Sequence, residues 1–440
     1  MLKDLKIGMI SLGCSKNLVD GEVMLGLLEK LGCKIVADAN EADVIIVNTC
    51  GFIEAAKQES IDAIFEAAEL KKVGRKKIIV TGCLSQRYPN ELFNDVPEAD
   101  AVLGVNCWDS LPEAIETVIG NKRYKKIEYK NRFPNYCRKL TMPGSSAYVK
   151  ISDGCDNKCT YCAIPLIRGS YASRDYDEIL NECRELVKKG VTELTFIAQD
   201  TSRYGNDFKE KQLLLKDLLH DASMIDGVKW IRVLYCYPDT VTDELLKEVA
   251  DNPKICPYLD LPLQHINDDL LKKMNRRGSS EHIKNTIKKC HEYGITVRTT
   301  MIVGFPGETD KQFEELLSFT KEARFDRLGA FTFSPEDGTA AAEMPNQISE
   351  EIKQKRLDEL MMLQQGISYE LNSRRIGTQT EVLIESYDSE NDCYIARSML
   401  EAPETDGIIR VKTNKKLSSG QYVNIQITGC DAYDLEGILL

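Results

Sequence analysis

From residue 1 to about 120 the chain alternates short apolar runs with longer stretches of helical periodicity. The runs are KIGMISLGC, DVIIVNTC, KKIIVTGC and ADAVLG, and NLVDGEVMLGLLEKLG and EAAKQESIDAIFEAAELKK fall between them. A strand that is apolar at successive positions is covered on both faces, and helices between such strands predict a doubly wound parallel sheet. From about 147 to 335 the rhythm becomes strand then helix, six times, with AYVKIS, ELTFIAQD, WIRVLY, YLDLPLQ, TVRTTMIVGF and RLGAFTFSP as the strands. The helix DEILNECRELVKKG stops at Gly190 and HIKNTIKKCHEYG at Gly294, where a C-cap wants positive φ. Thr309 and Gln312 stand at capping-box spacing. Six parallel strands predict an open partial (β/α)6 barrel with its ligand site at the C-terminal strand ends.

A helix over about 349–376 leads to residues 377–440, where TEVLIES, CYIARSM, IIRVKT and YVNIQITGC are separated by Gly, Asn and Asp. This spacing predicts a small antiparallel β-barrel of five strands. Residues 121–146 break the first rhythm with Pro, Gly, Ser and eight Lys or Arg against the single acid Glu128, and read as a basic linker. Cys137 lies there without a partner motif. The expected organisation is therefore an α/β multidomain chain: 1–120, the linker 121–146, a barrel with its trailing helix over 147–376, and a β-barrel over 377–440.

Composition narrows the class. The N-terminus MLKDLKIGMI has no long apolar region and no 18-residue apolar run occurs anywhere, so a secreted or membrane-spanning protein is not expected. Fifteen cysteines in such a chain point to thiolate ligands and reduced core residues in a reducing, cytoplasmic compartment rather than to disulfides. A net charge of −12 argues against a protein that works mainly by neutralising phosphates. Residues 377–440 are acidic, with eleven acids against five bases, and should prefer a basic protein surface. Asp431, Asp434 and Glu436 form one candidate docking patch, and Glu401, Glu404 and Asp406 another.

Cys14, Cys50 and Cys83 each end one of the first strands beside a glycine, so three thiolates can converge on one site. Buried core cysteines are the plain alternative. In the run GCDNKCTYC, Cys155, Cys159 and Cys162 supply three more thiolates just after the first barrel strand. Three thiolates leave one iron of a cubic cluster open. A zinc knuckle would want a fourth Cys or His nearby, and residues 163–182 contain neither; the nearest His is His220. Other strand ends carry polar groups that can face a ligand: Gln199 and Asp200, Gln264 and His265, then Gly304, Gly307 and Glu308. A lone buried His such as His265 is more often a satisfied structural residue.

The Cys-x3-Cys-x2-Cys spacing, with the aromatic Tyr161 before its last cysteine, resembles the signature of radical S-adenosylmethionine enzymes. That resemblance implies a 4Fe-4S cluster on Cys155, Cys159 and Cys162 whose open iron binds S-adenosylmethionine and yields a 5′-deoxyadenosyl radical. Tyr161, Gln199 and Gly304 are the expected cofactor-binding residues. The whole chain is similar to the methylthiotransferases, whose C-terminal barrel is called TRAM. SLGCSKNLVDGE, GCDNKCTYCAIPLIRG, AQDTSRYG, PLQH and APETDG look like the branch that modifies ribosomal protein S-twelve. The resemblance implies an auxiliary 4Fe-4S cluster on Cys14, Cys50 and Cys83 and methylthiolation of the β-carbon of an aspartate in that protein. It implies an electron donor and a sulfur donor that the sequence does not identify. The rival readings are a tRNA adenosine methylthiotransferase, an iron-sulfur electron carrier with no substrate, and a zinc-dependent binding module.

Overall fold

The computed structural model describes residues 2–74, 76–128, 133, 138–142, 144–209 and 213–440. Cys137 and much of the expected linker lie outside the described residues. The chain forms two compact units, one of residues 1–141, 152–174 and 334–342, the other of residues 142–151, 175–333 and 343–440. The loop carrying Cys155, Cys159 and Cys162, which lies in the segment 147–376 of the sequence, packs with the first unit.

In the first unit six strands form one parallel sheet: β1 (Lys6–Ser11), β2 (Lys34–Ile35), β3 (Val44–Thr49), β4 (Lys77–Gly82), β5 (Ala101–Leu103) and β6 (Tyr124–Lys126), in the order β2-β1-β3-β4-β5-β6. The helices are α1 (Ser15–Lys30), α2 (Glu54–Val73), α3 (Cys83–Arg87), α4 (Pro89–Asp95), α5 (Leu111–Ile119) and α6 (Ile164–Arg168). The apolar run of β3 shows why the sheet is doubly wound. Val44 and Ile46 pack with Met24 and Leu28 of α1 and with Ile115 of α5, whereas Ile45 and Val47 pack with Ile64 and Ala67 of α2. Strand β6 lies inside the segment read as a linker. It is the sheet edge, where lysines on an exposed strand discourage pairing with another chain, so its sequence YKK carries no apolar signal.

In the second unit β7 (Ser146–Lys150), β10 (Glu193–Ile197), β11 (Trp230–Val233), β12 (Ile255–Asp260), β13 (Thr296–Val303) and β14 (Arg327–Thr332) form the expected six-stranded parallel sheet, in the order β14-β13-β12-β11-β10-β7. Two short strands of the first unit, β8 (Ser152–Asp153) and β9 (Ala172–Ser173), pair antiparallel. Gly190 and Gly294 adopt φ of +97° and +68° at the helix ends assigned to them. Thr309 and Gln312 make the reciprocal capping box that opens the helix Asp310–Ala323.

Strands β15 (Gln379–Asp388), β16 (Cys393–Arg397), β17 (Ile409–Lys412), β18 (Tyr422–Cys430) and β19 (Leu435–Leu439) close into a barrel. Four of its pairings are antiparallel and β17–β19 is parallel. A closed ring with an odd number of strands cannot alternate direction all the way round, so one parallel pair is unavoidable. Within this unit the barrel sits at the N-terminal ends of the six parallel strands. Tyr422 meets Trp230, the first residue of β11, edge to face at 4.8 Å, and Lys229 stacks on the same Tyr422 ring.

Candidate active site

Strands β1, β3 and β4 are neighbours in register, with Ser11 opposite Asn48 and Thr49 opposite Gly82. Three adjacent parallel strands that end at one level place the residues after them together. Cys14 caps α1, Cys50 follows β3, and Cys83 opens α3. Cys14 is exposed, and Cys50 and Cys83 are buried. Glycine is required beside them: a Cβ on Gly13, at φ +86°, would lie 2.8 Å from Cys50 Cβ, and one on Gly51 would lie 2.7 Å from Leu84 Cα. Side chains pin the strand ends. Ser60 Oγ accepts the Cys50 amide at 2.9 Å and donates to the Cys50 carbonyl at 2.8 Å, and Asn17 Nδ2 donates to the Leu12 carbonyl at 2.7 Å.

The three thiols feel one another electrostatically. Burial pushes the Cys83 thiol up to about 11, the Arg168 cation pulls the other way, and Cys14 and Cys50 add to the rise. Burial likewise raises Cys50. Around Cys14 desolvation is outweighed by the charges of Lys16 and Arg168 and by the first amides of α1, so its thiol sits below the ordinary value. Three such thiolates cannot ionise together without cations among them, which is what ligation by iron provides. Among the described residues no set of three or more His, Cys, Asp or Glu side chains closes on a single metal ion. A cubane offers each thiolate its own iron, so its ligands stand farther apart than those of one ion.

Cys155, Cys159 and Cys162 are each half-buried. Their loop is closed at its base: the Cys155 amide donates to the Gly169 carbonyl at 3.1 Å, and the Tyr171 amide to Asp156 Oδ1 at 3.1 Å. Gly154, at φ +77°, has no room for a Cβ, which would meet the Ser170 carbonyl at 2.1 Å. The segment 334–342 lies against this loop through the Ala341 amide on the Thr160 carbonyl. It is anchored by buried Glu336, which takes Arg87 at 2.7 Å and Lys57 at 3.1 Å, and Arg87 also donates to the Gly51 carbonyl beside Cys50. Tyr161 is half-buried in the loop.

The second unit holds the remaining expected residues. Gln199, two residues past β10, has a buried Oε1 with no hydrogen-bond partner among the described residues, which suits a ligand donor. Gly304 has a different reason to be glycine. At φ +73° a Cβ would lie 2.3 Å from Lys353 Cγ, so the space beside it is filled by protein. His265 is satisfied and structural: it is fully buried, Nε2 lies 3.1 Å from Glu308 Oε1, and Nδ1 accepts the Asn267 amide at 3.0 Å. Glu308 also accepts the Gly304 amide and Arg356, each at 2.6 Å. Tyr235 and Gln264 adopt φ of +63° and +74° just past β11 and β12. Strained non-glycine backbone at the C-terminal ends of these strands is where a ligand site belongs.

The whole-chain comparisons bear on this arrangement. Residues 149–320 match the Radical SAM superfamily, residues 6–104 the Uncharacterized protein family UPF0004, and residues 376–440 the TRAM domain. The ribosomal protein uS12 methylthiotransferase RimO of Thermoanaerobacter sp. (strain X514) is 48% identical over 98% of this chain and 99% of that protein. The protein of the same name from Clostridioides difficile (strain 630) is 46% identical over 99% of each. The chain belongs to the radical S-adenosylmethionine methylthiotransferase family. Membership implies S-adenosylmethionine and a 4Fe-4S cluster. The radical S-adenosylmethionine methyltransferase TsrM from Kitasatospora setae shares the fold, with a TM-score of 0.59 at 12% identity over 83% of this chain and 89% of that one.

Two buried charged residues beside the cysteine triads escaped the sequence reading: Glu336, which anchors the segment on the cysteine loop, and Arg168. The guanidinium of Arg168 lies 2.6 Å from Asp20, 3.3 Å from Asp153 and 3.6 Å from Cys83 Sγ. In one of the two acidic patches only Glu404 is exposed. Glu401 is buried against Arg375 and Arg327, and Asp406 pairs with Arg298 and takes the Tyr258 hydroxyl at 2.7 Å. Those acids fasten the small barrel to the parallel strands. In the other patch Asp431 accepts the amides of Tyr433 and Asp434 in a turn, Asp434 pairs with Arg410, and Glu436 is exposed. No helix among the described residues is long and apolar enough to cross a membrane.

Proposed function

We propose that this chain adds a methylthio group to the β-carbon of an aspartate in ribosomal protein S12, in the cytoplasm, using two 4Fe-4S clusters. Cys155, Cys159 and Cys162 would hold the cluster that works with S-adenosylmethionine, and Cys14, Cys50 and Cys83 the auxiliary one that carries sulfur. The observation that supports this best is the presence of both cysteine triads in one compact unit, each on a backbone braced by buried hydrogen bonds. The relatives named as uS12 methylthiotransferases over their full length favour the protein substrate over tRNA.

With its cluster and S-adenosylmethionine bound, the second triad supplies a radical able to take hydrogen from an unactivated carbon. That power is needed because the β C–H of an aspartate is too weakly acidic for an ordinary side-chain base. The protein's own part is placement. The ends of β1, β3 and β4 fix three thiolates, Gly13 and Gly51 keep side chains out of the space between them, and Lys16 and Arg168 favour the ionised sulfurs. Gln199 and Tyr161 would orient S-adenosylmethionine, Gln199 through its unpaired Oε1. Holding the substrate carbon beside the sulfur carrier turns an encounter between two reactants into an intramolecular one. Mass spectrometry of ribosomal proteins from cells with and without the gene tests the reading: S12 should carry the added methylthio mass only when the gene is present. The same mass on tRNA adenosine instead would overturn it.

A further inference from the structure

Arg168 belongs to the loop that carries Cys155, Cys159 and Cys162, yet its guanidinium ends on the other triad. Nη2 lies 3.6 Å from Cys83 Sγ, within reach of an N–H to sulfur hydrogen bond. Nη1 is held from the far side by Asp20 Oδ2 at 2.6 Å and Asp153 Oδ2 at 3.3 Å, and the side chain is 1% exposed. The residue is also fixed through the backbone. It ends α6, where Ile167 and the N-cap Ala163 pack against Cys83 and Val105, and the next residue, Gly169, accepts the Cys155 amide. Packing, two carboxylates and the loop closure thus aim one buried cation at one sulfur.

We infer that Arg168 is a positioning residue that sets the reduction potential of the cluster on Cys14, Cys50 and Cys83, an inference that rests on reading that triad as a cluster site. A hydrogen bond from a cation to a ligand sulfur stabilises the more negative, reduced state and so raises the potential. Burial keeps the interaction from being screened by water. The same contact ties the spacing of the two triads to a single side chain, because α6 cannot shift without moving the cation off Cys83.

The test uses the full-length chain with Cys155, Cys159 and Cys162 changed to Ala, reconstituted anaerobically so that only the first triad contributes a paramagnetic signal. With 15N-labelled arginine, pulsed electron paramagnetic resonance of the reduced cluster should show a nitrogen coupling that Arg168→Lys removes. In a redox titration Arg168→Met should lower the midpoint potential by the equivalent of about a tenfold loss in the ratio of reduced to oxidised cluster, ~59 mV for one electron. Arg168→Lys, which keeps the charge but not the fork, should shift it less. A residue with a purely structural role would move neither signal. Variants that keep their iron with an unchanged potential, or an absent nitrogen coupling in the Arg168 chain, would overturn the inference. If the Met variant does not fold, the labelled Arg168 chain and Arg168→Lys still decide. Absence of any cluster in the Arg168 chain would instead overturn the reading of the triad itself.

Discussion

Arg397 of the C-terminal barrel forks onto Glu193 at the first position of β10, with Nη1 3.0 Å from Oε1 and Nη2 on Oε2. Ser146 Oγ donates to the same carboxylate at 2.7 Å and Arg232 Nε lies 3.3 Å from it. All three charged side chains are buried. Removing the anion from such a set leaves Arg232 without its carboxylate and Arg397 with Glu385 alone. Glu193→Gln should therefore cost about 3–5 kcal/mol, read as a lower denaturant midpoint with unchanged slope. A loss below about 1 kcal/mol, the range of an exposed pair, would show that the network is open to water.

Two buried carboxylates give this methylthiotransferase an acid-sensitive junction between barrel and strands. Burial alone would raise Glu193 and Glu401, but Arg397 and Arg232 hold Glu193 at about 2, and Arg375 and Arg327 hold Glu401 at about 2, from an ordinary 4.5. Both folded-state values lie below the unfolded one, so the stability they contribute is present above about pH 4.5 and is lost as pH falls toward 2. The contribution is on the order of 3 kcal/mol for each group. Chemical denaturation at pH 6, 4.5 and about 3 should show a steep fall that the Glu193→Gln, Glu401→Gln double variant lacks. Parallel curves for the two chains would contradict it.

Metal content separates the two triads. A chain with Cys155, Cys159 and Cys162 changed to Ala should keep about four of about eight irons after anaerobic reconstitution, as two cubane sites require. Iron analysis that finds none retained would leave the first sheet without a site of its own.

The converse variant, with Cys14, Cys50 and Cys83 changed to Ala, should still cleave S-adenosylmethionine to 5′-deoxyadenosine under reducing conditions and form no methylthio product. Chromatography of the nucleoside and mass spectrometry of S12 measure the two outcomes in one reaction. Product at the parent rate would remove the auxiliary cluster from sulfur transfer.

Gln199→Ala should weaken binding of S-adenosylmethionine about tenfold, the loss expected for one hydrogen bond to a charged group. Equilibrium dialysis against the reconstituted protein reads this directly. Unchanged affinity would mean that Gln199 Oε1 faces water or substrate instead.

How much of this was legible follows from how local each signal is. DVIIVNTC declared a strand buried on both faces, and cysteines at the ends of three such strands declared a shared site, because strand period and sheet order act over a few residues. The contact of Arg168 with Cys83 joins residues far apart in sequence, and nothing in IPLIRG distinguishes a buried cation from a solvated one. The same blindness made Glu401 and Asp406 look like surface charge, since their partners Arg327, Arg375 and Arg298 lie on other elements. Strand β6 was hidden because an edge strand has no need of apolar residues.

The first unit gathers residues 152–174 and 334–342 beside a parallel sheet whose strands all lie before residue 127. During synthesis the sheet can form early, but the segment bearing Glu336, which covers Lys57 and Arg87, emerges long afterward. Lys57 and Arg87 must therefore wait without their carboxylate partner while the intervening strands and helices are made. A chain truncated before Ser334 would lack both the carboxylate that holds Lys57 and Arg87 and the Ala341 amide that meets the Thr160 carbonyl.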